Sequence, residues 1–107
     1  MRIQIINPNT SAGMTDAMAA SARLIALPDS DIIASTPEHG PKSIECAFDE
    51  VIAGAAMLDQ VEKGKAMGVD AHIIACFGDP ALDAARELAD APVIGIAEAA
   101  FKFASMV

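Results

Sequence analysis

Cys46 and Cys76 are the only thiols in a chain of 107 residues, and their surroundings differ. Cys76 opens the run Cys76-Phe77-Gly78-Asp79-Pro80, directly after the apolar stretch Ala71 to Ala75. Asp79 and Pro80 are preferred types for the cap and first position of a helix, which predicts that Cys76 stands just before free backbone N–H groups. Such a position favours thiolate over thiol and suits a carboxylate or enolate oxygen, with Gly78 letting the backbone approach a ligand. A thiol at the end of a strand is equally compatible with a buried, inert cysteine. Asn7-Pro8-Asn9-Thr10 presents amides and a hydroxyl suited to a small polar ligand, although the same residues are ordinary turn and cap chemistry. No CxxC and no Cys/His cluster at metal spacing occurs, so neither a zinc site nor a disulfide framework is expected.

These loops need elements to hold them. Ile3 to Ile6 is a short strand stopped by Asn7-Pro8, with Ser11 capping a helix that runs to about Leu24 on the face Met14, Met18, Ala22 and Ile25. Asp31 to Ser35 is a second strand. After the loop Thr36 to Pro41, Ser43 is expected to cap the longest helix, with Ile44, Phe48, Val51, Ala55, Leu58 and Val61 as its buried face and Gly68 as its stop. A third strand at Ala71–Ala75, a helix from Asp79 to Leu88, a fourth strand at Val93–Ile96 and a helix from about Glu98 complete the order. Strict alternation implies right-handed crossovers and a parallel sheet, here an α/β fold of four parallel strands in flavodoxin-like order, with helices on both faces as a three-layer sandwich. Ligands of such sheets bind beyond the carboxyl ends of the strands, where the loops after the first three strands converge.

Composition narrows the function. Fifteen acidic residues against seven basic ones give a net charge of −8, which disfavours nucleic acid and acidic membrane surfaces. Neither a membrane span nor a signal peptide is visible, so the expectation is a single cytoplasmic domain over residues 1–107. The chain stops in Phe101 to Val107 without a glycine cap or polar tail, which reads as an element cut short.

Three motifs together carry a resemblance. Ile5-Ile6-Asn7-Pro8-Asn9-Thr10-Ser11, then Gly40-Pro41 with Ser43-Ile44-Glu45, then Ala75-Cys76-Phe77-Gly78-Asp79-Pro80-Ala81-Leu82 are similar to the hydantoin and allantoin racemase branch of the Asp/Glu/hydantoin racemase family. Gly95-Ile96 with Glu98-Ala99-Ala100 fits as well. The resemblance implies two similar α/β halves with the site between them and one catalytic cysteine from each, and this chain resembles the first half. The second cysteine is expected in a later Gly-Cys-Ala-Gly-like motif beyond Val107, supplied by a complementary half-chain or a homo-oligomer.

By the same resemblance Cys76 is the catalytic thiol. Asn7, Asn9 and Thr10 orient thiol and ligand, the Gly40 loop joins the site, and the amides near Phe77, Gly78 and Asp79 stabilise an enolate-like intermediate. Inversion at an acidic carbon needs a base on one face and an acid on the other. The carbonyl beside that carbon makes the proton acidic enough that neither a cofactor nor a metal is expected, and the ligand is a small molecule. Cys46 is read as exposed or structural, since it falls about 200° round the expected helix from its apolar face. His39 reads as a solvated loop residue, His72 as structural and Glu98 as a cap. A decarboxylase or isomerase on the same scaffold, and a non-catalytic flavodoxin-like interaction module, are the competing readings.

Overall fold

The computed structural model describes all 107 residues. Four strands, β1 (Arg2–Ile6), β2 (Asp31–Ser35), β3 (Ala71–Ile74) and β4 (Val93–Gly95), alternate with four helices, α1 (Ala12–Ile25), α2 (Ala47–Ala66), α3 (Leu82–Leu88) and α4 (Ile96–Ala104). The sheet is parallel throughout in the order β2-β1-β3-β4, the flavodoxin-like arrangement expected from strict alternation. Ile6 is level with Ser35 on one side and Ile74 on the other. The chain therefore leaves β1, β2 and β3 at the same height, and their loops start from one edge. No helix is long and apolar enough to cross a membrane.

Two apolar layers hold the sheet. Ile6, Met57, Val61, Ile74, Ala85 and Val93 form the larger one, to which α2 and α3 contribute. Ile5, Ile32 and Ala75 form the smaller one, packed by Met18, Ala22 and Ala26 from α1 and its end. The buried residues of α1 are Thr15 and Ala19, so the face turns slightly from the expected one and leaves Met14 and Ile25 exposed.

The largest departure is α2. It starts at Ala47 with Cys46 in the cap position, and neither Ser43 nor the Cys46 side chain caps it. Its buried face is Ala53, Gly54, Ala56, Met57, Gln60, Val61 and Gly64, whereas the expected core residues Phe48 and Val51 are 74% and 72% exposed. The physical reason lies beneath the helix. Gln4 and His72 stand fully buried on the sheet face under Gly64, and only small residues let the helix approach. Gly68, at φ +68°, ends the helix as expected.

The Gln4 cluster has one consistent set of proton positions. The Gln4 amide nitrogen donates to the Gln60 carbonyl at 2.9 Å and to Ser35 Oγ at 2.8 Å, so Gln4 Oε1 is the acceptor for His72 Nδ1 at 2.7 Å. His72 Nε2 then carries a buried lone pair with no partner. Burial lowers the pKa of this imidazole, which accords with a structural, neutral histidine.

Candidate active site

The Asn7 loop is built from its own side chains. Asn7 is buried, and its Nδ2 donates to Asn9 Oδ1 (2.8 Å), the Ser11 carbonyl (3.1 Å) and Thr15 Oγ1 (3.1 Å), while its Oδ1 accepts the Asn9 amide (3.1 Å). Asn9 Oδ1 also takes the Ser11 amide at 2.9 Å, and Ser11 caps α1 by accepting from the Met14 amide. Asn7 is thereby saturated and acts as the frame of the loop. Asn9 keeps its amide nitrogen toward Met14 Sδ at 3.5 Å, with donor capacity left for a ligand.

The thiol loop follows β3. The Asp79 amide donates to the Cys76 carbonyl at 3.0 Å, closing a tight turn in which Asp79 itself adopts φ +42°. The amides of Cys76, Phe77 and Gly78 have no acceptor within the chain. Of the expected amide donors, Phe77 and Gly78 thus have no internal acceptor, as Cys76 has none, whereas the Asp79 amide is spent on the turn.

The expected helix cap at Asp79 is not there. The following helix, α3, begins at Leu82, and its cap position is Ala81 at φ +53° without a side-chain cap bond. The Asp79 carboxylate instead reaches the start of α4, accepting from the Ala97 amide at 3.0 Å and the Glu98 amide at 2.8 Å. Asp79 rather than Glu98 caps that helix, and Glu98 pairs with Arg86 across the surface at 2.5 Å. The Arg86 guanidinium gains a raised pKa, first through the Glu98 hydrogen bond.

Cys76, half-buried, lines a cavity of about 650 Å³ together with Asn7, Pro8, Asn9, Ser11, Met14, Met18, Lys42, Ser43, Ile44, Ala75, Phe77 and Ile96. Of the residues singled out from the sequence, Cys76, Asn7, Asn9 and Phe77 meet there. Thr10, Gly40, Gly78 and Asp79 do not line it. Thr10 donates its amide to the Pro41 carbonyl at 3.1 Å, which ties the first and second loops together. Gly40 turns against Ala56, and Gly78 faces the Glu50 carboxylate and Cys76 Sγ.

Cys46 is exposed and outside the cavity. His39 is exposed beside Asp59 at 3.8 Å and lines a separate acidic cleft with Glu38 and Lys63. In that cleft Lys63 lowers the Glu38 pKa, chiefly by a side-chain hydrogen bond at 2.8 Å. No group of three or more His, Cys, Asp or Glu side chains is arranged to hold a metal ion.

Sequence reasoning missed Lys42, the single charged residue of the cavity wall, and the apolar wall of Met14, Met18 and Ile44. The helical spacing puts Met14 on an apolar face, and no local pattern distinguishes a core methionine from one at a cavity. Lys42 sits between Pro41 and Ser43 in a loop whose position alone, at the carboxyl edge of the sheet, was the available signal.

Comparison with known proteins places this geometry among relatives. Residues 3–107 match the family described as Asp/Glu/Hydantoin racemase. The chain is 46% identical over 107 residues to a hydantoin racemase of Pseudomonas sp. (strain NS671), covering all of this chain and 43% of that protein. It is 44% identical over 108 residues to a hydantoin racemase of Paenarthrobacter aurescens, covering 46% of that one. Among solved structures, an allantoin racemase from Klebsiella pneumoniae superposes with a TM-score of 0.98 at 56% identity, covering all of this chain and 44% of that chain. An allantoin racemase from Pseudomonas fluorescens gives 0.91 at 35% identity, over 45% of its length. The chain thus spans less than half the length of the relatives it matches.

Proposed function

The chain belongs to the Asp/Glu/hydantoin racemase family, and from that premise we propose that it supplies one proton-transferring face of a cofactor-independent racemase, with Cys76 as the acting thiol. The substrate class is a hydantoin, allantoin or related amino-acid derivative, the compounds named for its relatives. The observation that carries the reading is Cys76 half-buried in a cavity wall, next to three backbone amides without internal acceptors.

The chemistry follows from that arrangement. The Cys76 thiolate removes the proton from the carbon beside the ring carbonyl, and the C–H electron pair moves onto the carbonyl oxygen as an enolate. The Cys76 and Phe77 amides, on residues of the cavity wall, donate to that oxygen, and the Lys42 cation balances its charge. A proton delivered to the opposite face then gives the other enantiomer, and in the reverse direction Cys76 is the acid. Met14, Met18 and Ile44 keep the thiolate partly desolvated, while Asn7 and Asn9 hold the loop that faces it.

The second acid–base group comes from outside this chain, in a complementary half or a second copy. One observation supports a docking partner. Phe48, Val51, Ile52 and Ala55 form an outward apolar stripe on α2, and Val51 shares a cleft with Asp79 and Pro80 of the thiol loop. That stripe also favours the second reading, a non-catalytic interaction module.

The deciding experiment is hydrogen–deuterium exchange at the stereocentre of an enantiopure 5-substituted hydantoin in heavy water, followed by NMR and polarimetry, with Cys76→Ser as control. Exchange that the substitution abolishes supports Cys76 as base, and loss of rotation alongside it adds the second acid. Exchange equal in both proteins, or at the uncatalysed rate in both, sinks catalysis by this chain alone and leaves the interaction module.

A further inference from the structure

Asp79 was expected to touch the ligand, yet both of its carboxylate oxygens are occupied 18 and 19 residues along the chain. Oδ1 holds the Ala97 amide and Oδ2 the Glu98 amide at the first turn of α4. Charge-assisted bonds of this kind are among the stronger ones, and an acid at a helix amino terminus also meets the helix dipole favourably. The same residue closes the thiol turn through its amide to the Cys76 carbonyl, at φ +42°. A left-handed conformation at a non-glycine residue persists only where its surroundings enforce it.

The receiving surface is shaped to match. A Cβ added at Gly95 would collide with the Asp79 carboxyl carbon and lie 2.5 and 2.6 Å from its two oxygens. Gly95 ends β4 and Ile96, which begins α4, lines the same cavity as Cys76. One carboxylate therefore joins two walls of the cavity, the Cys76–Phe77 segment and the β4–α4 junction.

We propose that Asp79 is a positioning residue, whose grip on α4 holds the Cys76 thiol and the free amides of its turn at the angles the proton transfer uses. This rests on the racemase reading for its catalytic consequence, but the geometry is testable without turnover. Displacements of about 1 Å in such a site cost on the order of 100-fold in rate, which sets the expected size.

The experiment compares Asp79→Asn, Asp79→Ala and Gly95→Ala in a Cys46→Ser background, so that only Cys76 reacts with iodoacetamide. Three readouts are taken: the alkylation rate and its pH profile, the Phe77 and Gly78 amide shifts by NMR, and hydantoin proton exchange resolved into kcat and KM. Asp79→Ala is expected to change the alkylation rate several-fold, to move both amide resonances, and to lower kcat by about 100-fold with KM changed far less. Asp79→Asn keeps one amide acceptor and is expected to rescue part of each effect. Gly95→Ala strikes the clamp from the other side and is expected to reproduce Asp79→Ala.

Folded variants with wild-type alkylation and unmoved Phe77 and Gly78 resonances overturn the proposal, as does a kcat loss in all three variants that only follows their loss of stability. If Asp79→Ala fails to fold, Asp79→Asn, isosteric with the native residue, carries the same test. A wild-type protein without Cys76-dependent exchange would defeat the racemase reading, while the alkylation and NMR results would still decide whether Asp79 positions the loop.

Discussion

Gly64→Ala is the substitution on which helix propensity and tertiary packing disagree in sign. Gly64 lies inside α2, where alanine is ordinarily more stable than glycine by about 1 kcal/mol. The added methyl would overlap Gln4 Oε1 and stand 2.7 Å from Gln4 Cδ and 2.9 Å from His72 Cε1. Gln4 is held at both ends of its amide by Ser35, Gln60 and His72, so it has no free direction in which to retreat. Overpacking costs about 1–3 kcal/mol, and a buried polar group torn from its partner costs about 1–3 kcal/mol more. After the propensity gain of about 1 kcal/mol the variant should lose about 1–5 kcal/mol. With a urea m-value of about 1–2 kcal/mol per molar, each kcal/mol lost should lower the unfolding midpoint by roughly 0.5–1 M. The same substitution in a Gln4→Ala background should cost much less, because the nearest clash is gone and the space left by Gln4 lets the His72 ring, 2.9 Å from the added methyl, give way. A single variant as stable as the parent, or more so, refutes the close-approach account of α2.

Other expectations follow from the same contacts. Asn7→Asp places a carboxylate against three acceptors that Asn7 Nδ2 now serves, and should cost about 3 kcal/mol or more in urea unfolding while slowing Cys76-dependent exchange. The His72 pKa is lowered by burial, so the unfolded chain binds the proton more readily. Stability should be full above the unfolded value near 6.5 and decline as pH falls below it, by at most about 1.4 kcal/mol per pH unit from this group. His72→Gln should flatten that decline, and an unchanged slope would exclude the histidine as its source. Phe48→Ser should shift stability by less than about 0.5 kcal/mol, against about 2–5 kcal/mol for Met57→Ala on the opposite face. Comparable losses at both positions would mean that the helix packs the other way round.

The elements legible in the sequence were those marked by local chemistry. β1 and β2 are β-branched and end at Asn7-Pro8 and Thr36-Pro37, and parallel order follows from the alternation itself. Where local chemistry points two ways, tertiary packing decides. Ser43 has the profile of a cap, but the chain bends on to Cys46 before α2 begins. Hydrophobic periodicity selects Phe48 and Val51, whereas the sheet beneath α2 demands the small Ala53, Ala56 and Gly64, whose small volume a pattern of large apolar residues does not reveal. Asp79-Pro80 imitates a local cap, and its true partner on α4 lies too far along the chain for any window to detect. Of the site, Cys76 and the Asn7 loop were legible because strand ends in a parallel sheet converge. Lys42, Met14 and Met18 were not, since only the assembled cavity distinguishes them from loop and core.

The level strand ends of β1 and β3 have a consequence for how this fold can change. Ile6 and Ile74 are paired in register, so Cys76 lies two residues past a fixed point. A residue inserted within Ala71–Ile74 would turn every side chain after it to the opposite face of the sheet and carry the thiol out of the cavity. A residue inserted at the other edge, among Leu27 to Ser30 or Asp90 to Pro92, shifts no register. Length variation in descendants of this sequence should therefore accumulate at the amino edge of the sheet and be purged from its strands, leaving the thiol's address constant while the far loops drift.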